Sequence, residues 1–193
     1  MKFGYKVLLI LPVLYFAVGC DLIGEESPSK NPQNIKHENR YEIPIEVNAT
    51  LEEKTDFEDE IIPWISIENP EPEIARLRNA NEVVLKKSVA ILVIDYPLND
   101  SFGFELKASS SSGFTRAGLV RTISKIYHEI YNTEEETATI KTIPREERKG
   151  IINRNSTNGK YGIWGHDLSD LDLSGLQVLE SDNKTYIFLM VES

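Results

Sequence analysis

The chain has 193 residues, with 31 Asp and Glu against 21 Lys and Arg and a formal net charge of −10 at pH 7. An acidic chain is repelled by nucleic-acid phosphates and by anionic lipid surfaces, which argues against a nucleic-acid partner. Its single cysteine excludes an internal disulfide framework, and its length suits one domain of ordinary size.

Lys2 and Lys6 open the chain, and Val7 to Val18 form an apolar run of twelve residues that contains Pro12. The small residues Ala17-Val18-Gly19 lead directly into Cys20, the only cysteine. A membrane-spanning helix needs about 20 apolar residues, so the run reads as a cleaved leader. The pattern resembles the signal of bacterial lipoproteins, with Ala17 where that family usually has Leu. The resemblance implies removal of residues 1–19, a diacylglycerol on the Cys20 sulfur and an acyl group on the new N-terminus. One acyl chain anchors only marginally, at about 0.8 kcal/mol per buried methylene, whereas two or three hold stably. The expected location is the bacterial cell envelope, with lipidated Cys20 as the membrane contact and no choice between membranes or faces. With Cys20 modified, no thiol remains for catalysis.

Residues 20–73 read as an acidic, proline-rich tether or partly ordered spacer. Between Glu42 and Glu73 there are eleven acidic residues and one basic residue, Lys54. Low hydrophobicity with high charge does not offset the entropy of ordering, and proline disfavours helix. Residues 21–40 are expected to be flexible. Tyr41 to Val47 alternates apolar and polar residues, the strand period. Ile61, Ile62, Trp64, Ile65 and Ile67 are suited to dock on the domain that follows, so this stretch reads either as a spacer or as a strand and arm.

Residues 74–193 read as a small α+β domain. Ser88 to Asp95 is apolar on both alternating faces, which predicts a buried strand. Phe102 to Ala108 predicts a half-exposed partner, joined through the turn formers Pro97, Asn99 and Asp100. Thr115 is placed to cap a helix whose Leu119, Ile123, Ile126, Tyr127 and Ile130 form one apolar face. Glu134, Glu135 and Glu136 oppose the helix dipole at a C-terminus, so the helix is expected to end near Asn132. Thr139 to Gly159 reads as a mobile solvated loop, opening with a short strand at Thr139 to Ile143. It is locally basic, with Lys141, Arg145, Arg148, Lys149 and Arg154 against Glu146 and Glu147. Leu176 to Glu180 and Thr185 to Val191 predict a hairpin, and the last strand, apolar on both faces, belongs inside the sheet. The architecture expected is an antiparallel sheet of about four to five strands with one main helix packed on one face.

Tyr161 to Leu173 is the most distinctive segment, with a Trp, a His, two Gly and three Asp in thirteen residues. Trp164, His166, Asp167 and Asp170 are the candidate ligand-binding residues. A histidine beside carboxylates serves acid–base or metal chemistry, but the same residues also hold turns and cap short helices. No glycine-rich phosphate loop and no nucleophile elbow occurs. The reading favoured is therefore a lipid-anchored, non-catalytic interaction module with an envelope protein as partner, and with no cofactor and no catalytic or metal-ligating residue assigned. The alternative is a small envelope enzyme or metal-dependent binder built on Gly165-His166-Asp167.

Overall fold

A computed structural model describes residues 25–26, 39–57, 59–150, 153–181 and 183–193. The leader, Cys20 and most of residues 21–40 lie outside the described residues.

The strands are β1 (Glu25–Glu26), β2 (Asn39–Pro44), β3 (Val47–Asn48), β4 (Ile61–Ile62), β5 (Ile65–Ser66), β6 (Val83–Leu85), β7 (Val89–Ile94), β8 (Phe102–Lys107), β9 (Phe114–Thr115), β10 (Asp172–Ser181) and β11 (Lys184–Glu192). A short helix α1 (Glu71–Ile74) precedes the long helix α2 (Arg116–Thr137). The fold is α+β. Its main sheet has seven strands in the order β1-β8-β7-β11-β10-β2, with β5 also paired to β10. The sheet is larger than the four or five strands expected. Its pairings are antiparallel except for β11 against β7, where Tyr186, Ile187 and Phe188 face Ile91, Leu92 and Val93 in parallel. The parallel pair arises because the C-terminal hairpin inserts β11 between β7 and β10, which gives β11 the interior position its two apolar faces require.

Strand register sorts the side chains. Ala90, Leu92, Leu106, Leu176, Val178, Ile187 and Ile43 point to one face and join the core with the apolar stripe of α2. Leu119, Ile123, Ile126, Tyr127 and Ile130 of that stripe are at most 1 % exposed. The opposite face holds Ile91, Val93, Leu179, Tyr186 and Phe188 in adjacent register.

The core is not confined to residues 74–193. β2 pairs with β10 from Gly175 to Glu180, and Ile43, Ile45, Val47, Ile62, Ile65 and Ile67 are all buried in the same core cluster. The acidic side chains of this stretch point outward, so its charge and its packing coexist. The period-two pattern from Tyr41 to Val47 divides between two strands, β2 to Pro44 and β3 from Val47, with Ile45 buried between them.

Thr115 caps α2, its hydroxyl accepting a bond from Gly118 N at 3.1 Å. The helix runs to Thr137, five residues past the expected end. The reason is that Glu134 is fully buried and hydrogen-bonded, so it does not face solvent at the negative end of the dipole. No strand forms over Thr139 to Ile143, where the backbone bonds instead to the side chains of Asn155 and Asn158.

Candidate functional site

The Tyr161–Leu173 segment starts where α2 ends. The carboxylate of Glu134 accepts hydrogen bonds from Thr157 Oγ1 at 2.6 Å, Gly159 N at 2.7 Å, Tyr161 N at 2.8 Å and Gly162 N at 3.0 Å. Burial pushes this carboxyl up, but the Thr157 hydroxyl and the three backbone N–H groups outweigh it and hold it below the usual range. Gly162 has φ +63°, and a Cβ there would collide with the side chain of Asn99. Glycine is therefore required for the close approach of the segment to the loop that follows β7.

The segment is then fastened along both sides. Trp164 N donates to Pro97 O at 3.1 Å and Asn99 N donates to Tyr161 O at 3.1 Å. On the other side, Thr157 N donates to Ile163 O at 2.9 Å and Arg154 N to Gly165 O at 3.2 Å. His166 N donates to Trp164 O at 2.8 Å across Gly165, whose φ is +73°. This is a γ-turn, a conformation that glycine tolerates best.

The γ-turn places two candidate residues at the surface. Tyr161 and Ile163 are buried, whereas Trp164 is 37 % exposed and His166 is half-buried. The indole Nε1 donates to Leu98 O at 3.2 Å, which fixes the ring. Tyr96 packs edge-on against Trp164 with centroids 5.2 Å apart, and the His166 ring lies 5.4 Å from Tyr96 and 5.9 Å from Trp164. The outer ends of this triad are also tied. Tyr131 donates its hydroxyl to His166 O at 3.0 Å, and the Tyr96 hydroxyl shares a 2.7 Å hydrogen bond with Ser193 Oγ.

The two candidate aspartates face inward to arginines. Arg148 donates to both oxygens of Asp167, at 2.6 and 2.8 Å, in the bidentate geometry that suits guanidinium and carboxylate. Arg145 bonds Asp170 at 2.7 Å. Asp170 in turn accepts from Asp167 N at 2.9 Å and so begins a 3-10 turn at Leu168. The Arg148 hydrogen bonds hold the Asp167 carboxyl below the usual carboxylate range, against the opposing effect of burial. Arg154, with its side chain 3 % exposed, bonds Thr142, Thr157 and Ile163 O and stacks 5.5 Å from the Tyr131 ring.

Arg145 and Arg148 of the basic stretch thus clamp Asp170 and Asp167, while most of residues 141–150 are exposed, as expected of a solvated loop. Among the described residues, no group of three or more His, Cys, Asp or Glu is placed to hold a metal ion.

The sequence singled out Trp164, His166, Asp167 and Asp170 as candidates, and the structure adds Tyr96, Glu134, Arg148 and Arg154 as the residues that touch or hold their segment. The charge of the loop was the available signal. A basic excess in an acidic chain, next to three aspartates, is what an internal ion-pair network needs. Glu134 and Tyr96 left no comparable mark, since each is joined to the segment only by the tertiary fold. The chain matches no protein-family model, no curated protein and no solved structure.

Proposed function

We propose that this protein is a lipid-anchored envelope lipoprotein that acts as a non-catalytic binding module and recognises a protein partner through the Tyr96–Trp164–His166 surface. One observation carries the reading: an indole more than a third exposed is held in one orientation by Leu98 O and by two neighbouring rings. A large, rigid, half-exposed aromatic supplies contact area at small entropic cost, and such residues dominate binding energy at interfaces. Asp167 and Asp170 serve this surface from beneath, by fixing the turn that follows His166.

Crosslinking in intact cells followed by affinity recovery tests the reading. Trp164→Ala is expected to reduce recovery of a specific protein by about tenfold or more, the effect of losing an interface anchor. His166→Ala should act in the same direction. A partner retained in both variants would make the segment structural, and a substrate turned over by the purified protein would overturn the non-catalytic reading.

A further inference from the structure

The charges of the main sheet are sorted by its two ends. Val89 pairs with Lys107, Ser181 with Lys184 and Glu180 with Asn39, so these residues share one end. That end carries Arg40, Lys86, Lys87, Lys107 and Lys184, all exposed. Among the described residues the acidic positions nearest it are Glu180, which pairs with Lys87 at 3.1 Å, Glu105, two residues inward opposite Ile91, and Glu25 of β1, opposite Phe104. Asp182, between Ser181 and Asn183 in sequence, lies outside the described residues. The far end carries Asp95, Asp100, Asp172 and Glu192. The length of β7, at about 3.3 Å per residue, separates the ends by roughly 20 Å. The Debye length at physiological salt is about 8 Å, so the acidic end is screened from a surface that meets the basic one.

The chain also arrives at the basic end. β2 begins there, at Asn39. β1 runs antiparallel to β8 and so comes in from the Lys107 side. Glu25 is the fifth residue after Cys20, a span of at most about 18 Å. An acylated Cys20 therefore keeps this end within reach of the bilayer surface.

We infer that the basic end of the sheet is a docking surface for anionic phospholipid headgroups, with Val89, 43 % exposed, seated between Lys107 and Lys184. The inference rests on the anchoring proposed above and adds the face and the lipid chemistry to it. The net charge of the chain argues against anionic lipid, but the local charge at the point of contact is the one that acts. Each lysine near such a surface contributes roughly fivefold in affinity.

The test uses the acylated protein in phosphatidylcholine vesicles, with and without phosphatidylglycerol, containing a headgroup spin-label quencher. A fluorophore is attached at Ser109→Cys, beside the basic end, or at Asp100→Cys, at the far end. The expected result is stronger quenching at position 109 that requires phosphatidylglycerol and is lost in Lys107→Gln/Lys184→Gln. Lys107→Arg/Lys184→Arg, which keeps both charges, should retain the quenching, and thermal unfolding of both double variants beside the parent separates loss of charge from loss of fold. Equal quenching at both positions, or quenching indifferent to phosphatidylglycerol or to the glutamine double variant, would overturn the docking surface. Mass spectrometry of the purified protein reads the anchor separately. Absence of the acyl mass on Cys20 removes the anchoring reading, whereas its presence without lipid-dependent quenching removes the docking surface alone.

Discussion

Glu134 shows how one side chain positions a surface it does not belong to. It sits in the last turn of α2 with no exposed area, and its two oxygens take the four donors that begin the Tyr161 segment. Hydrogen bonds to a charged acceptor are worth about 1.5–3 kcal/mol each, and a buried donor left unpaired costs about as much. Glu134→Gln keeps the shape but turns an amide NH2 toward backbone N–H groups that need an acceptor. The expected loss is roughly 3 kcal/mol, or a melting temperature about 10 °C lower for a chain of this size. Thermal and urea unfolding would measure it, and an unchanged midpoint would show that the carboxylate does not organise the segment. Trp164 and His166 were legible in the sequence because they flank Gly165 and rare residue types cluster there. Their neighbour Tyr96 was not, because it comes from the loop after β7 and meets them only once the sheet has formed.

The elements read best where the pattern was local. The stripe on α2, the period-two run from Tyr41 to Val47 and the two-faced apolar β11 all carry their burial in their own spacing. What the spacing does not carry is pairing. Nothing within β11 specifies that its second neighbour is β7 in parallel, and nothing in the acidic 41–67 stretch announces that its isoleucines complete the core. The end of α2 was misplaced for a related reason: a helix-dipole argument treats Glu134 as solvated, and its burial removes that premise. The central place of β11 has a measurable consequence. Ile187 is fully buried, and the strand bridges the β7–β8 pair to the β10–β2 pair. Deleting residues 187–193 removes that bridge and exposes two inner strand edges, so the truncated chain should not unfold cooperatively on heating. A sharp calorimetric transition in the truncated protein would contradict the assigned topology.

At the scale of the whole molecule, a few buried and half-buried carboxyls set how the fold responds to acid. Glu134 and Asp167 both have folded-state pKa values below their ordinary ones, so the native state binds fewer protons than the unfolded chain. Their contribution is present above the unfolded carboxyl range of about 4 and is lost as pH falls through the folded values. Asp172 acts in the opposite sense, because burial raises its pKa and the fold favours its protonated form. Asp167→Asn should therefore lower stability at neutral pH and flatten the acid limb of a stability–pH curve. Asp172→Asn should raise neutral stability and steepen that limb. Urea midpoints taken between pH 3 and pH 7, a window about the unfolded carboxyl range, would separate the two variants. Both aspartates lie close together in sequence, at the two ends of the turn that leads into β10, yet they carry opposite signs. The difference is supplied by Arg148, which reaches Asp167 across the clamp. An Arg148→Ala chain should accordingly lose most of the acid dependence assigned to Asp167 while leaving that of Asp172 in place. A curve in which both contributions vanished together would mean that the clamp and the start of β10 open as one unit, not as two.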